Sequence, residues 1–178
     1  MIYHLISQQD NDAFESDNGL RGLPVGYPVP HVEDMLFYIQ RNMNTDTVIY
    51  QLNKNASGQV DLNCPIYAYW MSFGEEIRTQ ELNHIQNTLA FGYQSKYISN
   101  DLFEIQFVSY KKKKFFLVRR NENEFGLVTE LRGIKSYLKH IYVYAEEFGV
   151  FPDVKFIELF GEDIESRKEV YERDYINA

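Results

Sequence analysis

A carboxylate and an imidazole three residues apart, Glu81 and His84, form a Glu-x-x-His pair. On a helix this spacing puts both groups on one face, as in carboxylate-bridged metal sites, but such sites need a second pair and further carboxylates from neighbouring helices. The chain offers one pair and one helical segment, so no metal ligand and no cofactor is assigned. Nucleophile and base types also occur, Cys64 or Ser109 with His84 or His140, yet no surrounding motif exposes a nucleophile or builds an oxyanion site. Cys64, next to Pro65, reads as a small buried residue. His140 falls between Leu138 and Tyr142 on one strand face and reads as a core or boundary histidine. No catalytic residue is assigned, and a hydrolase using His84 with Glu81, or His140, is kept as the alternative function.

Two further stretches resemble sites. Asn53 to Asp61 has oxygen-bearing residues at alternate positions, as in a calcium loop, but it begins with Asn, ends its twelve residues at Cys64, and supplies only the Asp61 carboxylate. A β-hairpin loop fits it better, since Asn, Ser and Gly are turn residues. Lys111, Lys112, Lys113 and Lys114 with Arg119 and Arg120 place six cations in ten residues around Phe115 and Phe116. That pattern suits phosphates or stacked bases, but lysines along an edge also block strand-to-strand aggregation. Residues 146–178 carry ten acidic against four basic side chains, a net of −6. The four lysines are therefore read as an interaction patch that faces this segment or a second copy of the chain.

These groups need a scaffold. At 178 residues the chain can bury one continuous core without disulfide or metal support. Aromatic residues reach 16%, with 14 Tyr and 13 Phe, a bias that suits pleated surfaces. A net charge of −8 repels nucleic acid and acidic membrane surfaces, so neither is an expected partner. Cys64 is the sole cysteine, so no intrachain disulfide forms. The first ten residues lack the basic start and apolar core of a secretory signal, and nothing approaches the ~18–20 consecutive apolar residues of a membrane span. A cytoplasmic location is expected.

Residues 1–33 read as an arm, rich in Gly and Pro, whose Tyr27-Pro28-Val29-Pro30 favours an extended path along the domain surface. The domain proper is placed at 34–178. Short runs with strand character follow at 35–40, 47–52, 66–73, 102–109, 115–120, 125–131, 137–145, 154–160 and 168–175. Phe103, Ile105 and Phe107 alternate with polar residues, whereas Met35 to Ile39 is apolar on both faces and looks central. Leu82, Ile85 and Leu89 recur at helical spacing between Thr79, a candidate N-cap, and Gly92, a candidate stop. The reading is a mainly β domain, an antiparallel sandwich or barrel of about nine strands with one short helix over 80–90.

The helix should cap a barrel mouth or cover an open sheet edge. Tyr67, Tyr69, Trp70, Phe73, Phe91, Tyr93 and Tyr97 gather around it in sequence. The expected function is therefore a non-enzymatic β domain that binds an unidentified small molecule or a protein through Trp70, Glu81, His84 and Tyr93. Homo-oligomerisation through the lysine patch is a further alternative.

Ordered blocks carry a family resemblance: Phe37 to Asn42, Asp46 to Asn53, Pro65 to Trp70, Glu81-Leu82-Asn83, Ala90-Phe91-Gly92 and Val108 to Lys112. From about residue 34 onward the chain resembles the bacterial family called domain of unknown function 4833. The resemblance implies no activity. It associates the family with export signals, which the first residues here do not show.

Overall fold

The computed structural model describes residues 26–148 and 151–176. Eleven strands run in chain order as β1 (Met35–Arg41), β2 (Thr47–Leu52), β3 (Ile66–Phe73), β4 (Ile77–Glu81), β5 (Tyr93–Ser99), β6 (Leu102–Phe107), β7 (Phe115–Arg119), β8 (Phe125–Leu131), β9 (Ile134–Phe148), β10 (Phe151–Asp163) and β11 (Glu169–Tyr175). One helix, α1 (His84–Leu89), separates β4 from β5. All strands join one curled, mixed sheet in the order β4-β3-β2-β1-β9-β8-β7-β6-β5, with β10 and β11 branching from β9. Most neighbours are antiparallel hairpins. The exception is β1, which lies parallel to β9.

Among the described residues the expected mainly β fold with one short helix is what forms, with eleven strands instead of about nine. The two unforeseen strands, β4 and β5, flank the helix. Ile77–Glu81 pairs with Phe73–Tyr69, so the anticipated helix over 80–90 starts only at His84. Its cap is Asn83, not Thr79: the Asn83 side chain accepts from the Gln86 N–H, and the Gln86 side chain accepts from the Asn83 N–H. Leu82 is buried just ahead of the helix, while Ile85 and Leu89 are exposed, so the supposed apolar stripe does not face the core. Both hairpin turns Asn100-Asp101 and Arg132-Gly133 have two consecutive residues at positive φ, the geometry that matches strand twist in a two-residue loop.

The sheet folds over itself. Inward residues of β1 to β3 meet those of β6 to β8 in one core that includes Phe37, Val48, Tyr50, Phe103, Ile105, Phe115, Leu117 and Leu127. Phe37 and Tyr50 stack at 4.3 Å, and Phe107 from the opposite half sets its edge against both at 5.6 Å. Phe107 also packs on Phe115 at 4.9 Å. The seam between the two ends of the sheet is closed by side chains. The Tyr93 hydroxyl of β5 accepts from the Ile66 N–H at 2.9 Å and donates to the Ile66 carbonyl at 2.5 Å, standing in for a strand partner of β3. Tyr50 donates to the Phe91 carbonyl at 2.7 Å from beneath.

Because Phe107 is the ring that interlocks the halves, Phe107→Ala should cost about 3–5 kcal/mol of stability. Urea unfolding measures this, and a loss below about 1 kcal/mol would mean that the halves do not depend on their shared aromatic packing.

Candidate functional site

The groups nominated from sequence for the helix end are dispersed. Glu81 ends β4 and His84 opens α1, so they do not share a helical face; both are exposed. The Trp70 indole N–H donates to the Gln86 side chain at 3.2 Å, its ring meets Phe91 at 5.2 Å, and the Arg41 guanidinium lies 4.7 Å over it. Tyr93 spends its hydroxyl on Ile66. Glu81 and Tyr93 do line one cleft of about 640 Å³ in the seam between β3 and β5, together with Cys64. Cys64 is exposed, contrary to expectation, because it precedes the strand; its thiol lies 3.6 Å from both the Ile66 carbonyl and the Tyr93 hydroxyl. Ser109 donates to the Ala90 carbonyl at 2.6 Å. His140 lies elsewhere, so the acid, base and nucleophile types do not converge in one cleft. Asn53 to Asp61 is a hairpin loop closed by the Asn55 side chain, which accepts from the Ser57 and Gln59 N–H groups. Among the described residues no His, Cys, Asp and Glu cluster suits a metal ion.

Of the lysine patch, Lys112 pairs with Asp174 at 2.9 Å and Lys113 with Glu172 at 2.7 Å, while Lys111 and Lys114 are exposed. Tyr110 donates to Asp174 at 2.8 Å beside them. Two lysines thus tie the β6–β7 loop to the acidic strand β11 of the same chain.

The more built site is on the outer face of β1, β9, β10 and β11. Alternate residues point outward there, and the cross-strand register aligns them in rows. The first row is Tyr38, His140, Phe160 and Tyr171. Tyr38 and Phe160 sandwich the His140 imidazole at 4.3 and 5.2 Å. The second row is Gln40, Tyr142, Glu158 and Arg173. Glu158 is fully buried; its Oε2 accepts from the Tyr171 hydroxyl and from Arg173 Nη2 at 3.2 Å. Burial and the adjacent Glu158 carboxylate push the Tyr171 phenol above its ordinary range. Over these rows passes the arm segment 27–31. Tyr27 donates to the Arg41 carbonyl at 2.7 Å and Gln40 Nε2 donates to the Pro28 carbonyl at 2.6 Å. Residues 1–25 of the anticipated arm lie outside the described part.

Beneath Val29, Pro30 and His31 the arm leaves a cavity of about 340 Å³, walled by Tyr38, His140, Phe160 and Tyr171 on the sheet side. Arg120 and Lys139 stand at its margin, and Glu162 accepts from both, at 2.8 and 2.7 Å, while also binding Arg167 at 2.7 Å. Arg120 lies 4.4 Å over the Tyr137 ring. Sequence reasoning missed this site because its members come from strands far apart in the chain. The usable signal was local: alternating aromatic and polar residues on the outward phase of His140, Tyr142 and Tyr144.

Burial holds His140 neutral, pushing its pKa down to about 3. An unfolded histidine titrates near ~6.5, so between those values the unfolded chain binds the extra proton and stability falls as pH falls. Chemical denaturation from pH 6.5 to 4 should show the unmodified chain losing up to about 1.4 kcal/mol more per pH unit than His140→Phe, which keeps the ring stack. Parallel pH profiles would show instead that His140 takes up its proton in the folded state.

No curated protein and no solved structure matches the chain. The family described as Domain of unknown function (DUF4833) matches residues 37–173, which spans β1 through most of β11 and every row of the outer face, and the chain belongs to that family.

Proposed function

We propose that this is a non-enzymatic binding domain whose ligand, a small flat molecule carrying an acidic group, sits in the cavity between the arm and the outer face of β1, β9 and β10. The observation that carries the reading is the cavity itself. At about 340 Å³ it falls within the range of small-molecule sites, it is mostly apolar and aromatic, and it has two cations at one margin. The stacked Tyr38, His140 and Phe160 rings offer a rigid wall, and Arg120 and Lys139 offer donors for a carboxylate or phosphate. Glu162 already occupies those donors, so the ligand must be acidic enough to share them. The neutral imidazole removes a competing charge from the wall.

The helix end is the weaker candidate because its aromatic groups are already engaged and its charged ones are exposed. Trp70 bonds Gln86 and Tyr93 bonds Ile66, while Glu81 and His84 face outward from different elements.

A thermal-shift screen with aromatic and heteroaromatic acids tests the proposal. Binding at a hundred times Kd adds about 2.7 kcal/mol of stability, a shift easily read. Compounds that raise Tm should lose that effect with Arg120→Ala and with Lys139→Met and keep it with Glu81→Gln, which alters only the seam cleft. If no acid shifts the unmodified chain, or the shift survives both cation variants, the cavity is not the site.

A further inference from the structure

The described part of the arm lies on the sheet with polar groups of its seat left unmatched. Both edges of β1 are taken by β2 and β9, and the described part of the arm is held through side-chain hydrogen bonds. The principal holder is Gln40, which is fully buried. Its amide orientation is fixed: Nε2 donates to the Pro28 carbonyl at 2.6 Å and to Thr47 Oγ1 at 3.1 Å, and the Thr47 hydroxyl is itself committed as donor to the Thr45 carbonyl at 3.0 Å. Both partners are therefore acceptors, and Oε1 is the free end of the amide. Gln40 Oε1 is buried with no donor, and so is the hydroxyl of Tyr142, the residue paired across the strand.

Buried polar atoms normally find partners. A side-chain amide that gives its N–H to the carbonyl of an extended residue is placed to take the N–H of that same residue with its oxygen, because in an extended chain both groups point to one side. Here that residue is Pro28, which has no N–H, and Pro30, two residues on, has none either. The resident segment thus leaves unsatisfied the group that reads peptide backbone. The rest of the seat is suited to a peptide: the Arg41 carbonyl accepts from the Tyr27 hydroxyl at 2.7 Å, and the Tyr142 ring lies 6.3 Å from the Tyr27 ring.

We propose that the groove over Gln40 and Tyr142 is a docking site for an extended segment of a partner polypeptide, an aromatic residue followed by a residue with a free N–H, and that Tyr27–Pro30 is its weak internal occupant. The arm competes from within the same chain at high effective concentration, so it keeps the groove covered until a segment able to pair both ends of the Gln40 amide arrives. A second copy's arm carries the same prolines and gains nothing over the resident one. The groove and the ligand cavity share the arm as cover, since Val29 and Pro30 also line the cavity. They use different sheet residues, Gln40 and Tyr142 against Tyr38, His140, Phe160 and Tyr171, so peptide binding and acid binding are read separately.

Fluorescence anisotropy with two labelled nonapeptides tests it. One has the sequence of residues 25–33, and the other has alanine in place of the first proline. Titrated with the full chain, the alanine peptide should bind at least ten times more tightly than the native-sequence peptide. Gln40→Met should weaken it about tenfold, and Tyr27→Ala, which loosens the resident arm, should strengthen it several-fold. If Gln40→Met does not fold, the Tyr27→Ala chain still decides the matter. Equal binding of the two peptides would mean that the groove reads only its own arm sequence, and no binding to either chain would mean that the groove is closed; each overturns the proposal.

Discussion

A strand has two edges, and β9 has three partners. β10 follows one edge from Ser136 to Phe148, so β8 and β1 must share the other in series, β8 along Ile134–Tyr137 and β1 along His140–Val143. The two wings of the sheet therefore leave β9 at successive points along one edge, diverge, and can close over a common core. On its stretch of that edge β1 runs parallel to β9. The long β10 and β11 ribbon takes the other edge, and with it comes the outer face where the rows of aromatic and polar side chains lie.

The local pattern of the strands was legible in the sequence, and their sharing of β9 was not. β2, β3 and β8 have the bounds read from alternation alone, and Phe103, Ile105 and Phe107 are buried as their phase requires. β4 escaped because Ile77-Arg78-Thr79-Gln80-Glu81 is exposed throughout and carries no alternation; only its pairing with β3 defines it. β5 escaped because only Tyr93 and Ser95 are half-buried and the rest is exposed, although Asn100-Asp101 announced the hairpin that ends it. The Asn83-x-x-Gln86 capping box marked the true helix start, but the Leu82, Ile85 and Leu89 spacing outweighed it. The outer-face site was illegible because its rows are built by register between residues up to a hundred positions apart, and register is a tertiary fact.

That outer face is chemically unusual for a surface covered by its own chain. A permanent cover over a sheet is most stable when apolar meets apolar, and a buried ion pair contributes little net stability once desolvation is counted. Here the covered second row is Gln40, Tyr142, Glu158 and Arg173, with Glu158 fully buried between Tyr171 and Arg173. Removing one partner of such a buried pair costs about 3–5 kcal/mol. Such a row is hard to justify as packing, but it is well suited to a face that is sometimes wet or sometimes covered by something else.

The two clefts differ in the same respect. At the seam three polar side chains are spent on closure: Tyr93 on Ile66, Tyr50 on Phe91, Trp70 on Gln86. The hydroxyls and the indole there do the work of a missing twelfth strand, and a ligand would have to break that closure to use them. On the outer face the geometry is already complete without the arm, since β1, β9, β10 and β11 are fixed by their own ladders. Among the described residues the arm adds two side-chain hydrogen bonds and leaves Gln40 Oε1 and the Tyr142 hydroxyl unmatched. Rigid scaffold, incompletely satisfied polar groups and a cover held through side chains coincide on this face, and that coincidence is what supports proposing it, instead of the sequence cluster around the helix, as the binding site.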